Sequence, residues 1–339
     1  MLIFFVALIS CVVLVLLLRG MAHRFGVVDN PGARKQHEHP TPVIGGLAMF
    51  VAVVLALYWC DAYTEKITLL MACAGGLVAL GLLDDKYDLK VRMRMMIQVL
   101  LALLIILGAG GTITHLGALF GGADIHLGLL AVPVSLVAFV GGINAMNMID
   151  GADGMAGKMA AITVLGVMVI FYLSGAMEPL ALTWAMLGAL IGFLFFNARW
   201  FVIRAWVFMG DAGSTWLGLV LGWFMAQVTR GEVSAEPALV LWLFGIPLID
   251  TLAVMTRRLR NNKSPFSADH THIHHVFQHN GLSVRRTVLT LSVLQLGLVG
   301  IGVCLYLIKA PAAVVFWGFA GLLFLYYKLI SHYAGSRVS

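Results

Sequence analysis

Long apolar runs recur from one end of the chain to the other, and they constrain its fold more than any other feature. About eleven of them approach the roughly 20 residues with which an α-helix crosses a membrane. They lie near 2–18, 45–60, 67–83, 95–107, 127–143, 159–173, 180–196, 214–228, 237–255, 288–307 and 311–330. Only 11% of the residues are charged, against roughly 25% in a soluble domain. The sequence therefore predicts an all-α polytopic membrane protein with about eleven transmembrane helices.

The polar segments between these runs are too short to bury cores of their own. Residues 1–339 are therefore predicted to form a single integral membrane domain. The first run has neither a basic region before it nor a small-residue cleavage site after it, so we expect a retained span. The fourth run is short, and the glycine-rich segment 108–122 could extend it.

Basic residues are distributed unevenly between the loops. Nineteen of the 22 Lys and Arg residues lie in one alternating set of loops, and the other set holds only Lys66, Arg230 and Lys309. The positive-inside rule assigns the basic set to the cytoplasm. The N-terminus is then outside, the C-terminus is cytoplasmic, and the number of spans is odd. Because this topology signal accounts for the net charge of +6, we do not predict nucleic-acid binding.

Polar clusters fall in the same basic loops. They occupy 34–46, 84–98, 144–158, 197–214 and 257–275. A transporter would carry ionisable residues at mid-span depth. The pattern instead predicts an active site on the cytoplasmic loops, open to water and to lipid.

The segment GGINAMNMIDGADGMAGK, residues 141–158, is the most informative of these clusters. Asn144, Asn147, Asp150 and Asp153 recur every three residues, which places them on one side of a helix or tight helical turn. Oxygen ligands that converge in this way suit a hard cation and the phosphates it carries. The alternative is a loop in which these side chains only cap helix ends.

Two further acidic motifs lie next to apolar runs. Asp84 and Asp85 are adjacent at a membrane surface, which favours a metal, a cationic partner or a raised pKa; the alternative is a solvated helix terminus. Asp211, in FMGDAGST, precedes a long apolar helix. It suits a metal–phosphate pair, or it caps that helix in competition with Ser214 and Thr215.

The segment RRLRNNKSPFSADHTHIHH combines cations with histidines. Its members are Arg257, Arg258, Arg260, Lys263, His270, His272, His274 and His275. Arginine and histidine donors suit a diphosphate. A zinc site is one alternative, although no cysteine is nearby; a basic patch on lipid headgroups is another. In the first cytoplasmic loop, Lys35 either adds a cation to the same surface or anchors the topology.

These motifs together resemble one family, the polyprenyl-phosphate N-acetylhexosamine-1-phosphate transferases. The resemblance extends over about 26–277 and rests on RKQH with PTPVIGG, GLLDDKYDLKVRMRMMIQ, NAMNMIDGADG, FMGDAGST and the histidine segment. It implies that Asp211 and Asn147 hold the metal. It also implies that Asp84, Asp85, Asp150, Asp153 and His274 serve the chemistry. The implied substrate-binding residues are Lys35, Arg94, Asn144, Asn197, Arg257, Arg258, His272 and His275.

The resemblance also implies the reaction and its setting. The donor would be UDP-N-acetylglucosamine, the acceptor undecaprenyl phosphate, and the cofactor Mg²⁺, with Mn²⁺ as a substitute. The location would be the bacterial cytoplasmic (inner) membrane, with membrane lipid as a neighbour and a homodimer as a further expectation. Two alternatives remain open at this point: a family member acting on another UDP-N-acetylhexosamine, and a transporter of anionic lipids or nucleotides.

Overall fold

The computed structural model describes residues 1–29, 40–199, 204–230, 233, 235–264 and 272–335. Its helices are α1 (Leu2–Phe25), α2 (Gly45–Trp59), α3 (Glu65–Tyr87), α4 (Val91–Gly108), α5 (Ala131–Ile149), α6 (Met155–Ser174), α7 (Met177–Asn197), α8 (Gly210–Val228), α9 (Leu239–Leu243), α10 (Gly245–Arg260), α11 (Ile273–His279), α12 (Val284–Leu307) and α13 (Ala312–Gly335). Two short strands, β1 (Val28–Asp29) and β2 (Thr41–Pro42), pair antiparallel.

Helices of transmembrane length dominate the described residues. Eight segments are long and apolar enough to cross a membrane: Leu2–Ala22, Glu65–Tyr87, Val91–Gly108, Gly128–Ile149, Met155–Ser174, Met177–Asn197, Val284–Leu307 and Ala312–Ile330. Helix α2 is apolar but shorter. The prediction of an all-α polytopic membrane protein is confirmed, and each predicted span overlaps at least one helix.

The predicted span at 237–255 is two helices rather than one. Helix α9 ends at Leu243 and α10 begins at Gly245. The buried side chain of Gln295 joins the two ends, because its Nε2 donates to the Leu243 carbonyl (3.0 Å) and its Oε1 accepts from the Ile246 N–H (2.8 Å). Backbone groups freed by a helix break need such partners inside a membrane.

Helix α4 begins earlier than predicted and ends at Gly108. The segment after it, 109–127, does not extend the helix, so that suggestion was wrong. Gly110, Gly117 and Gly121 have positive φ there, and an isolated bridge pairs His115 with His126. Positive φ is incompatible with a continuing right-handed helix.

Helix α8 is the buried centre of the bundle and packs against α3, α5 and α2. Small residues allow this close approach. A Cβ on Gly81 would lie 2.2 Å from the Ala212 nitrogen, and one on Gly46 would lie 2.3 Å from the Gly213 Cα. Helices in membranes associate through such small-residue contacts. The contact between Gly81 and Ala212 places the end of α3 directly against the first turn of α8.

Candidate active site

The acidic motifs of α3 and α8 meet at one end of the bundle. The backbone N–H of Asp211 donates to Asp85 Oδ1 at 3.1 Å. Asp211 lies in the first turn of α8, and the residue before this helix is Met209, so Asp211 is not the N-cap. The hydroxyl groups of Ser214 and Thr215 donate to backbone carbonyls one turn earlier and do not cap the helix either. The capping interpretation of FMGDAGST was therefore wrong.

Arg94 bridges two of the carboxylates. Its Nη1 donates to Asp84 Oδ2 and lies 3.3 Å from Asp211 Oδ2. The Leu89 N–H donates to the other Asp84 oxygen at 2.8 Å. The Asp84 side chain is 4% exposed and that of Arg94 is 31% exposed. Asp84 is thus a buried, paired carboxylate rather than a solvated helix end, whereas Asp85 is exposed at the surface.

The central motif divides where α5 ends. Asn144 and Asn147 lie on the helix, but the helix stops at Ile149, so Asp150 and Asp153 belong to the loop before α6. Asn147 Nδ2 donates to Asp211 Oδ1 (2.7 Å) and to the Ser214 hydroxyl (3.0 Å). The three-residue spacing therefore brings Asn144 and Asn147 onto one helical face. The glycine-containing turn positions Asp150 and Asp153.

Asp150 lies among other carboxylates. Burial and the negative charges of Asp211, Asp85 and Asp153 raise the pKa of Asp150 to about 8. A carboxyl group with so high a pKa is one whose charged form lacks sufficient positive charge nearby. The end of the bundle therefore favours an added cation.

A cavity of about 780 Å³ opens beside this acidic cluster. Its polar lining comprises Asp29, Asp85, Lys86, Asn147, Asp150, Asp153, Asn197, Arg199, Asp211, His275 and His279. Arg199 Nε donates to Asp153 Oδ2 at 2.7 Å, which holds Asp153 at the wall. We call it the first cavity.

Asn197 shapes the first cavity through backbone contacts. Its Oδ1 accepts from the Gly154 N–H at 2.7 Å, and its Nδ2 donates to the Val207 carbonyl at 2.8 Å. The side chain is buried and joins the central loop to the segment before α8. Asn197 therefore lines the cavity, as predicted, and it also fixes the loop that carries Asp153.

The histidine segment is held by a carboxylate inside α10. Asp250 Oδ2 lies 2.7 Å from His272 Nδ1, and Asp250 Oδ1 accepts from the Ile273 N–H (3.0 Å) and the Tyr326 hydroxyl (2.7 Å). Asp250 is 1% exposed. A carboxylate on one ring nitrogen of a histidine fixes its tautomer and orientation, so a ligand would meet His272 through Nε2.

His274 and His275 reach the acidic cluster from α11. A Cβ on Gly151 would lie 2.2 Å from His274 Nε2, so glycine is needed for the central loop to pass beneath this ring. The rings of His274 and His275 have centroids 4.1 Å apart. The motifs DGADG and HIHH are therefore in direct contact in the folded chain.

A second cavity, of about 290 Å³, lies on the other side of the cluster. Its polar lining comprises Asp84, Arg94, Gln98, Asn144, Asn147, Asp211, Thr215, Arg258, His272, His274 and His275. Asn144 Nδ2 donates to Gln98 Oε1 at 2.8 Å. Leu80, Val91, Met95 and Met148 give this cavity an apolar part. Asn147, Gly151, Asp211 and His275 line both cavities and separate them.

Two predicted site residues are not among these linings. Arg257 lies on α10 and lines neither cavity. Lys35 lies outside the described residues, as does His270. Thirteen of the fifteen predicted site residues therefore meet at these two cavities.

Sequence reasoning missed several residues that position this site. Asp250 carried a signal, since a carboxylate within an apolar run is a functional indicator in membrane proteins. Gln98, Arg199 and Tyr326 carried none that distinguishes them from other polar residues near helix ends. Their contacts depend on how distant helices pack.

The donor set fits a hard divalent cation. Carboxylate and amide oxygens are its preferred ligands, and Mg²⁺ commonly keeps several waters while using only one or two protein carboxylates. In the described part of the chain, no group of three or more His, Cys, Asp or Glu side chains forms a ready metal cage, so a bound Mg²⁺ would depend on one or two carboxylates, amide oxygens and water. Asp211 and Asp85, linked through a backbone N–H, face the first cavity together.

The fold and the site define a polytopic α-helical membrane protein in which carboxylates, arginines and histidines line two cavities at one end of the bundle. A profile of the family described as glycosyl transferase family 4 matches residues 67–229. The undecaprenyl-phosphate alpha-N-acetylglucosaminyl 1-phosphate transferase of Yersinia pestis is 36% identical over 286 residues, covering 84% of this chain and 78% of that protein. The Haemophilus influenzae protein of the same name is 32% identical over 336 residues, covering 98% and 94%.

These similarities extend well beyond the site motifs. The chain belongs to the polyprenyl-phosphate N-acetylhexosamine-1-phosphate transferases, glycosyl transferase family 4. The family resemblance carried by the five motifs is confirmed.

Proposed function

We propose that this protein transfers N-acetylglucosamine 1-phosphate from UDP-N-acetylglucosamine to undecaprenyl phosphate. The products are undecaprenyl-diphospho-N-acetylglucosamine and UMP, which makes the reaction a first step of lipid-linked glycan assembly. One observation carries the proposal: a wall that includes Asn147 and Asp211 separates a large cavity rich in carboxylates from a smaller one rich in arginine and histidine. A transferase that joins a water-soluble donor to a lipid acceptor needs two adjoining cavities, one for each substrate. The names of the Yersinia pestis and Haemophilus influenzae relatives agree with it.

The two cavities suit different substrates. The first has the volume and polar lining for a nucleotide sugar. The second contains Arg94, Arg258 and His272 together with apolar side chains, which suits a phosphate attached to a hydrocarbon chain. The reacting groups would meet at Asp211 and Asn147, which line both.

Mg²⁺, or Mn²⁺ in its place, would be held by Asp211, with Asn147 as the predicted second ligand and Asp85 adjacent. When bound it supplies charge stabilisation to the phosphoryl oxygens. Holding Asp211 in place is the task of Asn147 and Arg94, which each contact one of its carboxylate oxygens.

The reaction is a phosphoryl transfer. An oxygen of the lipid phosphate forms a bond to the sugar-linked phosphorus, and the bond from that phosphorus to the oxygen of UMP breaks. Catalysis of this kind depends mainly on positioning and on positive charge. The acceptor phosphate is largely a dianion at pH 7, since its second pKa is near 6. The nucleophile is therefore already charged, and a strong general base is unnecessary.

The proposed setting is the bacterial cytoplasmic membrane. We propose about eleven spans, with the N-terminus outside and the C-terminus in the cytoplasm, because nineteen of the 22 basic residues then lie inside. This orientation presents both cavities to the cytoplasm, where nucleotide sugars are made. A homodimer stays a prediction.

The decisive experiment is a UMP-release assay on the purified chain in detergent, with undecaprenyl phosphate, Mg²⁺ and a panel of UDP-sugars. We expect UMP only when donor, acceptor and metal are all present, with UDP-N-acetylglucosamine the preferred donor, and no UMP after chelation. Release from another UDP-N-acetylhexosamine alone would replace the sugar assignment. Movement of nucleotide or lipid across vesicles without UMP release would replace the enzyme with a transporter.

A further inference from the structure

A third cavity, of about 210 Å³, lies next to the first and shares Asp153 and Arg199 with it. Its other lining residues are Lys158, Arg285, Val288 and Leu289. They come from the start of α6 and the start of α12, and Arg199 follows the end of α7. The proposed reaction gives this cavity no task.

The lining of the third cavity has an excess of positive charge. It contains three cationic side chains and one carboxylate, Asp153. The Arg199–Asp153 ion pair, at 2.7 Å, matches one cation to that carboxylate. Lys158 and Arg285 bring two further positive charges to the same lining, and the charge of Arg285 acts on Lys158. Two like charges held together at one cavity favour the binding of an anion.

The helix ends add to this positive potential. Lys158 lies in the first turn region of α6 and Arg285 in the first turn of α12, and neither first turn contains an acidic residue. The N-terminus of a helix already carries partial positive charge and is stabilised by anions. Cations at both N-termini are unfavourable in the isolated protein and favourable once an anion lies between them.

The position of the cavity indicates the kind of anion. Helix α12 is a candidate span that begins at Val284, so its first turn lies at the membrane boundary. Val288 forms an apolar wall, and Leu289, which is 58% exposed, lies on the outer surface of the bundle. A basic pocket between helices at this depth, with apolar side chains below it, suits a phospholipid headgroup.

We propose that Lys158 and Arg285, together with Arg199, bind the phosphate of an anionic phospholipid in the leaflet on the side of the active site. The headgroup phosphate lies among the three cations, and the glycerol and upper acyl chains lie against Val288 and Leu289. The chemistry is that of a phosphate ester, so free phosphate is the competing source of the anion. The site is separate from the cavity assigned to undecaprenyl phosphate.

The test uses the delipidated full-length chain in detergent and follows its thermal unfolding during titration. Three probes are compared: phosphatidylglycerol, phosphatidylcholine with the same acyl chains, and inorganic phosphate. The variant is Arg285→Gln, and the matched control is Arg286→Gln, since Arg286 is the next residue, is exposed and does not line the cavity. A further variant, Lys158→Gln, tests the contribution of the cation on α6.

For the wild-type chain and Arg286→Gln, we expect phosphatidylglycerol to stabilise at concentrations at least about tenfold lower than phosphatidylcholine. Arg285→Gln and Lys158→Gln should each lose most of this preference. Equal preference in all four proteins would overturn the site. Equal stabilisation by inorganic phosphate, lost in Arg285→Gln, would overturn the lipid assignment in favour of a free anion. Because the readout is binding, it does not depend on the proposed reaction.

Discussion

The Asp250 carboxylate lies 2.7 Å from Nδ1 of His272, and this contact joins the interior of α10 to the wall of the second cavity. The Tyr326 hydroxyl donates to the same carboxylate from α13, the last helix of the chain. Both Asp250 and His272 are buried, at 1% and 6% exposed. The orientation of His272 therefore depends on Tyr326, which lies more than fifty positions further along the sequence.

Tyr326→Phe should weaken catalysis by loosening this arrangement. A hydrogen bond to a charged group contributes about 1.5–3 kcal/mol, and about 1.4 kcal/mol corresponds to tenfold in rate. Since only part of that energy acts through His272, we expect kcat/KM to fall by up to about tenfold. The KM for undecaprenyl phosphate should change more than that for the UDP-sugar, because His272 lines the second cavity.

The neighbouring substitution Tyr327→Phe is the matched control, since the Tyr327 hydroxyl accepts from Arg260 Nη1 at 2.9 Å instead. It should leave both KM values unchanged. If Tyr326→Phe matched the control, or if it raised the KM for the UDP-sugar alone, Tyr326 would have no positioning role toward the second cavity.

Asp211→Ala should reduce kcat by at least about a hundredfold, the usual cost of removing one charge-stabilising group from an active site. It removes the carboxylate that Asn147 and Arg94 hold, but it takes away little core packing, because Asp211 is partly exposed. Thermal unfolding should therefore stay near that of the wild-type chain. Asp124→Ala, in the exposed loop at the other end of α4, is the control. Mg²⁺-dependent turnover at the wild-type level in Asp211→Ala would remove it as a metal ligand.

Asp84→Asn and Asp85→Asn should differ in stability although both lower kcat. Asp84 is buried and paired with the partly exposed Arg94, so its loss should cost between the roughly 1 kcal/mol of an exposed ion pair and the roughly 3–5 kcal/mol of a buried one. Asp85 is exposed and accepts the backbone N–H groups of Asp211 and Ala212, contacts that an asparagine oxygen can keep, so Asp85→Asn should unfold close to wild type. Melting curves and UMP release on the same preparations measure both effects. A lower melting temperature for Asp85→Asn than for Asp84→Asn would contradict the conclusion that the buried Asp84 contributes more to stability than the exposed Asp85.

The membrane class and the site motifs could be read from the sequence because both are local patterns. Apolar runs report a lipid environment directly, and DDK, NAMNMIDGADG and HIHH keep their chemistry together over short stretches. Those signals do not depend on which helix packs against which.

Features that depend on tertiary packing could not be read in this way. The break between α9 and α10 requires Gln295, which lies about fifty residues further on. The bridging of Asp84 and Asp211 by Arg94 requires the close contact of Gly81 with Ala212. Neither contact leaves a periodic signal in the sequence, so hydropathy alone gives one uninterrupted span and two unconnected acidic motifs.

The proposed orientation predicts the accessibility of two exposed loops. In a variant without the four native cysteines, Lys90→Cys should react with a membrane-impermeant maleimide only after the cells are opened, because the proposed orientation places the loop between α3 and α4 in the cytoplasm. Asp124→Cys, beyond the other end of α4, should react in intact cells. The reverse pattern would invert the topology, and reaction of both in intact cells would place the two loops on the same side.

Gly151→Ala should displace His274 from the acidic cluster. The added Cβ would lie 2.2 Å from His274 Nε2 and 2.7 Å from Cε1, so the ring must move. We expect kcat to fall by about tenfold or more. The melting temperature should fall as well, because the ring that must move is buried at 1% exposed. Gly141→Ala is the matched control, since a Cβ there meets nothing within 4 Å and alanine is the better helix former. A double-mutant cycle tests the cause: when His274 is already alanine, Gly151→Ala should cost almost nothing further. A full additional loss in that background would show that Gly151 acts on the site through the loop itself and not through His274.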